Sequence, residues 1–332
     1  MKKVVVITLI AFAVTLTAYA YSKYSGTGGG RTDSDYHNNG NVQLCICSGL
    51  YEHQSGEWPS NTWLYPFSYS GNYYLYESGI WVGTDCQGAV EVSESTHNGG
   101  EYHSVVELVM SDTGPWPDGV PLFADLDSYE RCDDSDAGEA GPIGIEVERH
   151  GYSFSAPPKD DFIGFQYKIY NLSGSDLSNV YVSRFADFDL GGSASDNIDD
   201  LVGFDQDRQM PYMYDEDGDP PGYISTICPQ GTPLGSKAYV STPGDDAGKF
   251  QYMQYSDWDV KKTPDDWRVT YNTGPYFISV DGYITIAFIT VSGDDLADLQ
   301  ANADVAMDSY PGDTATVNIT PASVGRVKAL YR

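Results

Sequence analysis

Basic residues are scarce in this 332-residue chain: 18 Lys and Arg stand against 48 Asp and Glu, a formal net charge of −30 at pH 7. A surface this negative repels phosphate backbones and anionic headgroups, which excludes nucleic-acid and membrane-surface partners. Long apolar runs are missing too. The longest, Val4 to Leu16, is about thirteen residues against the roughly 20 of a bilayer-crossing helix. The five histidines, His37, His53, His97, His103 and His150, form no metalloprotease helix motif, and there is no Gly-x-Ser-x-Gly turn. No catalytic signature is present. A glycosidase needs two carboxylates about 5 to 10 Å apart, but among 48 acids some pair meets any spacing, so acid content does not discriminate. Helical periodicity is confined to one mature segment, Asp294 to Ser309. There Leu296, Leu299, Ala303 and Ala306 recur at three- and four-residue spacing after an acidic start that suits the helix dipole.

What is present begins with an address. Lys2 and Lys3, the apolar run and then Ala18-Tyr19-Ala20 follow the order of a secretory signal peptide over residues 1–20. The mature chain is expected to start at Tyr21, to carry a charge of about −32 without those two lysines, and to have no membrane span. Its destination is the periplasm, the cell surface or the medium. Such compartments permit disulfides. Cys45 and Cys47 sit two apart and so share one strand face, which favours bridges to a later cysteine, Cys86 or Cys132, and leaves Cys228 free. No second close cysteine pair and no suitably spaced histidine supports zinc. The 27 Tyr, 12 Phe and 6 Trp supply far more aromatic area than an acidic disordered tail would.

Residues 21–41, rich in Gly, Ser, Asn and Asp, read as a flexible leader. From Val42 to Arg332, as one unit or two packed lobes, short β-branched and aromatic runs alternate with turn residues. Phe162 to Tyr170 and Val180 to Phe185, joined through Asn171 to Ser175, predict an antiparallel pair. The fold class expected is all-β: an antiparallel β-sandwich with long acidic loops and one C-terminal helix.

Four strings resemble a family of large secreted β-sandwich modules of unassigned activity, found in surface and extracellular proteins of marine and environmental bacteria. They are Tyr-Leu-Tyr-Glu-Ser-Gly-Ile-Trp-Val-Gly at 74–83, Ser-Ala-Pro-Pro-Lys-Asp-Asp-Phe at 155–162, Phe-Ala-Asp-Phe-Asp-Leu-Gly at 185–191, and the stretch from Thr273-Gly274-Pro275 to Ala301-Asn302-Ala303-Asp304. The resemblance implies a structural module of the envelope or extracellular space. Such modules often precede a C-terminal sorting domain, which this sequence does not show before Arg332.

Calcium is the expected ligand. Asp187, Asp189, Asp196, Asp199, Asp200, Asp205 and Asp207 crowd around Gly191-Gly192, and a hard cation takes six to eight oxygens from a turning loop. Asp187, Asp189, Asp199, Asp200 and Asp205 are the candidate metal ligands. A second acidic loop, Asp215-Glu216-Asp217-Gly218-Asp219, has Thr226 where an EF-hand has its last Glu, so that motif is excluded. Trp58 and Trp63, beside Pro59 and Asn61, are candidate sugar platforms, whereas Trp81 is assigned to the core and Trp116 carries no separate assignment. The expected function is a non-catalytic structural, adhesive or binding module whose partner is a polysaccharide or another envelope protein. The alternative is a carbohydrate-active protein, either binder or glycoside hydrolase.

Overall fold

The computed structural model describes residues 34–53, 63–65, 73–86, 88–95, 100–112, 122–138, 141–191, 198–218 and 221–312. The leader at 1–20 lies outside them. The strands are β1 (Ser34–His37), β2 (Gln43–Cys47), β3 (Tyr51–Glu52), β4 (Trp63–Leu64), β5 (Tyr73–Leu75), β6 (Glu77–Thr84), β7 (Glu91–Glu94), β8 (His103–Ser111), β9 (Leu126–Asp133) and β10 (Ile145–Ser153). They continue as β11 (Phe162–Asn171), β12 (Leu177–Asp187), β13 (Asp200–Asp205), β14 (Met210–Asp215), β15 (Tyr223–Gln230), β16 (Pro233–Tyr239), β17 (Lys261–Asp265), β18 (Arg268–Ile278) and β19 (Tyr283–Gly293). Two helices, α1 (Asp246–Met253) and α2 (Leu296–Ser309), complete the described elements. The protein is therefore mostly β.

Among the described residues the strands form two sheets whose named pairings are all antiparallel. One runs β16-β18-β12-β6-β3-β2-β4-β5, with β1 on β2 and β7 on β6; the other runs β17-β13-β14-β15-β19-β11-β10-β9-β8. Alternation along each strand sorts side chains to opposite faces. Leu44, Ile46, Ile80, Val82 and Val182 of the first sheet share one cluster with Val147, Ile163, Tyr167, Ile286 and Phe288 of the second. Trp81 and Phe185 point the other way, stacked with centroids 5.3 Å apart, and pack with Phe250 and Met253 of α1. On the far side of the second sheet, Phe162, Ile289 and Val291 pack against Leu299, Ala303 and Ala306 of α2.

Four expectations are corrected. Order begins before Val42, because β1 pairs with β2 and the buried His37 ring sits 2.7 and 2.9 Å from the Ser153 and Ser128 hydroxyls. The strands on either side of Asn171 do not pair with each other: β11 joins β10 and β19, whereas β12 joins β6 and β18. Asn171 holds this crossover, donating from Nδ2 to the carbonyls of Ser175 (2.8 Å) and Ile278 (2.9 Å). A polar loop of this kind suits a hairpin and an arch equally. The third correction concerns the thiols, since all five cysteines are free. Cys45 and Cys47 do share a face, but it is the one with Tyr51 and Tyr36, opposite the inter-sheet cluster that holds Cys132 and contacts Cys86. Burial pushes the Cys228 thiol up to about 12. Finally, α1 is a second helix; it is short and contains Gly248, so it lacks an apolar period, and the Asp245 carboxylate caps it by accepting from Gly248 N at 2.7 Å.

Between the sheets lies a fully enclosed ionic group. Arg149 of β10 meets Glu52 of β3 at 2.7 Å and also Glu130 of β9; Arg184 of β12 meets the other Glu52 oxygen at 2.7 Å. All four side chains are no more than 1 % exposed. Glu130 accepts from Gly49 N and Leu50 N, both at 3.1 Å, and Arg184 donates to Tyr167 Oη at 2.9 Å. Both guanidinium groups lie 5.3 Å from the Phe165 ring centre. Burial opposes the Arg149 charge, yet Glu130 and Glu52 outweigh it and hold the group above its ordinary value.

Two measurements check this architecture. Leu299 is fully buried, and a Cβ on Gly293 would sit 2.2 Å from its backbone nitrogen, so α2 docks at backbone contact. Leu299→Ala should cost about 2–5 kcal/mol in urea unfolding, whereas an unchanged midpoint would reject the docking. Glu52→Gln leaves two buried guanidinium groups short of a counter-charge and should cost about 3–5 kcal/mol in the same assay.

Candidate functional site

The predicted acidic ligands start where β12 ends. Asp187 closes β12, and the chain passes through Phe188 and Leu190, both anchored in the inter-sheet cluster, before Asp200 opens β13 in the other sheet. Register then brings in distant residues: Asp187 lies opposite Arg268 on one side and Glu77 on the other, and Asp200 lies opposite Asp215. The result is two groups of aspartates rather than one.

In the first group, one carboxylate oxygen each from Asp187, Asp189 and Asp266 lies within 4.8 Å of the others. Arg268 is their positive partner, with Nε 2.9 Å from Asp187 Oδ2 and Nη1 3.3 Å from Asp266 Oδ1. Burial, then the Asp189 charge, pushes the Asp187 carboxyl well above its usual range, and Arg268 pulls back.

The second group is Asp199, Asp215 and Asp217, again within 4.8 Å of one another and graded from buried Asp215 through half-buried Asp199 to exposed Asp217. Asp215 Oδ1 accepts from Asp217 N at 2.8 Å and Gly218 N at 2.7 Å, and Glu216 N donates to the Asp199 carbonyl at 3.0 Å. Beside them is Asp200, with no exposed surface. Its Oδ2 accepts from Leu190 N at 3.4 Å, and its Oδ1 meets no hydrogen-bond donor among the described residues. Burial pushes its carboxyl well above the usual range; the Leu190 amide pulls back, and the charges of Asp189, Asp215 and Asp199 add to the rise.

Asp205 belongs to neither group, which corrects its assignment as a ligand. It sits at the far end of β13, about 17 Å away at strand rise, where it accepts from Arg208 Nη1 at 2.9 Å and Gln300 Nε2 at 2.8 Å. Arg208 reaches on to Asp304 of α2 at 2.7 Å. Asp196 and Asp219 lie outside the described residues, as do Trp58, Trp116 and the side chain of Trp63, whose backbone is in β4. Trp81 is fully buried, as its strand context predicts.

Sequence reasoning missed Asp266, and it missed two aromatic contacts, one of them beside it. Phe204 and Trp258 stack with centroids 4.6 Å apart, and Lys261 lies 5.1 Å over the Trp267 ring, next in sequence to Asp266. A Trp flanked by Asp at 266 and Arg at 268 was the available signal. A further acid was also passed over: Asp161 accepts from Asn41 Nδ2 at 2.6 Å, and its carboxyl is raised to about 6, first by burial and then, against that Asn41 bond, by Asp160, Asp298 and Asp294.

No family model matches the chain, and no curated protein matches it. Its fold is similar to that of a bacterial glucoamylase solved with acarbose, with a TM-score of 0.54 and 10% identity over 86% of this chain and 36% of that one. The chain thus spans about a third of the glucoamylase's length. A protein from Synechocystis sp. PCC 6803 has a TM-score of 0.42 at 9% identity, over 80% of this chain and 97% of that one. A polysaccharide lyase has a TM-score of 0.38 at 10% identity, over 83% and 34%.

The Asp161 value sets a pH dependence. Its folded pKa of about 6 exceeds the ordinary 3.8, so the native state holds this proton more tightly. The contribution to stability is fully present below pH 3.8 and is lost as pH rises through 6. Relative to wild type, Asp161→Asn should lack this step when urea midpoints are compared across pH 4 to 7, and a carboxyl NMR titration of wild type should place the midpoint near 6.

Proposed function

We propose that the protein is an exported, non-catalytic β-sandwich module that binds a polysaccharide. The observation that carries the reading is the fold likeness over 86% of the chain to a glucoamylase solved with acarbose. Two antiparallel sheets sharing one apolar cluster support the sandwich. The leader and the four strings of residues 74–304 that resemble secreted bacterial modules support export and an address at the envelope or beyond it.

Binding is favoured over hydrolysis by the geometry of the two aspartate groups. In each group one oxygen per carboxylate lies within 4.8 Å of the others, a convergence that suits a bound cation more than two carboxyls flanking a glycosidic bond. Asp187 and Asp200 are also closed to a sugar by burial. Asp161, with its raised carboxyl, is the residue on which a hydrolase reading would rest.

Affinity electrophoresis through gels cast with starch, xylan, pectin or alginate tests the proposal. Retarded migration in at least one gel is expected, and the Trp58→Ala, Trp63→Ala double variant should migrate faster there. Normal migration in every gel would overturn the binding reading. Reducing sugar released by wild type but not by Asp161→Asn would replace it with hydrolysis.

A further inference from the structure

We propose that Asp199, Asp215 and Asp217 form a calcium site that clasps the open end of the β13–β14 hairpin. Three carboxylate oxygens within 4.8 Å of one another supply the converging hard donors. The independent observation is Asp200. It is fully buried, it lies directly opposite Asp215 in the ladder and so on the same sheet face, and its Oδ1 meets no donor among the described residues. A carboxylate taken out of water next to other carboxylates is costly, and positive charge standing among them is one way to offset that cost. In the Asp187 group that charge is supplied by Arg268. Asp200 accepts only the distant Leu190 amide among the bonds described, so a cation between Asp199, Asp215 and Asp217 would answer its charge.

The chemistry of the donors selects the ion. The group is made of carboxylates, with neither His nor Cys among them, which suits calcium and disfavours zinc or copper. Asp215 Oδ1 already takes two backbone amides, so the turn is held in shape before any ion arrives. Exposed Asp217 gives a route from solvent. The clasp also has a counterpart: Arg208 ties the other end of β13 to α2 through Asp205 and Asp304.

The test is calcium titration calorimetry on the whole chain after chelation, with thermal melting in calcium and in chelator at constant ionic strength. Binding in the 0.1–1 mM class of extracellular modules and a raised melting temperature are expected, with magnesium weaker by about tenfold or more. Asp217→Asn, on the exposed side, should fold normally and weaken calcium by about tenfold; Asp199→Asn should do the same. Asp266→Asn, in the other group, should leave the affinity within about twofold. No heat and no melting shift with wild type would overturn the site. Loss of binding in Asp266→Asn with retention in Asp217→Asn would overturn it equally by moving the ion to the Arg268 group. The readout uses no polysaccharide, so it stands or falls independently of the binding function proposed above.

Discussion

Everything else in the fold is arranged around the salt-bridged quartet between the sheets. Arg149 and Glu130 are ladder partners in one sheet, and Arg184 and Glu52 belong to the other. Glu52 bridges both arginines, so the pairing of charges is also a pairing of sheets. Hydrophobic contacts tolerate sliding, whereas a carboxylate shared between two guanidinium groups does not. Removing a buried charge partner is costly even where the intact group adds little net stability. The quartet therefore acts mainly on specificity: it fixes which residues of one sheet face which residues of the other. Phe165 has both guanidinium groups 5.3 Å from its ring centre, so its π face adds a cation–π contact to each arginine.

From that fixed frame the acids take their places. With 48 carboxyl groups in the chain, repulsion has to be managed locally, and among the described residues several basic side chains do this. Arg268 serves the Asp187 group, Arg208 ties Asp205 to Asp304, and Lys249 of α1 meets Glu94 at 2.8 Å. Each of these few basic side chains joins separate elements of the fold, so the scarce positive charge works as cross-linking.

Much of this was legible in the sequence. The β-branched runs at Phe162, Val180 and Tyr283 became strands, and the Leu296, Leu299, Ala303 spacing became α2, because period reports directly on which face is buried. Cys45 and Cys47 were rightly placed on one face, but a period of two does not say which face looks inward. The density of aspartates from 187 to 207 was read as one site. An extended β13 instead separates Asp200 from Asp205, and ladder register brings in Asp215 and Asp266, which no local spacing connects to Asp187. The misread residues share a cause: each depended on pairing between strands far apart in sequence.

The edge strand β17 reads Lys-Lys-Thr-Pro-Asp. Lys262 and Thr263 are exposed there, and Pro264 has no amide hydrogen to offer a neighbour. Adding a strand from a second molecule would have to strip water from charge and accept a missing bond. Indefinite stacking of sheets requires two receptive borders on every unit, and the nine-stranded sheet is closed at this one. Among the described residues, β17 thus gives the nine-stranded sheet a border that resists the addition of a further strand.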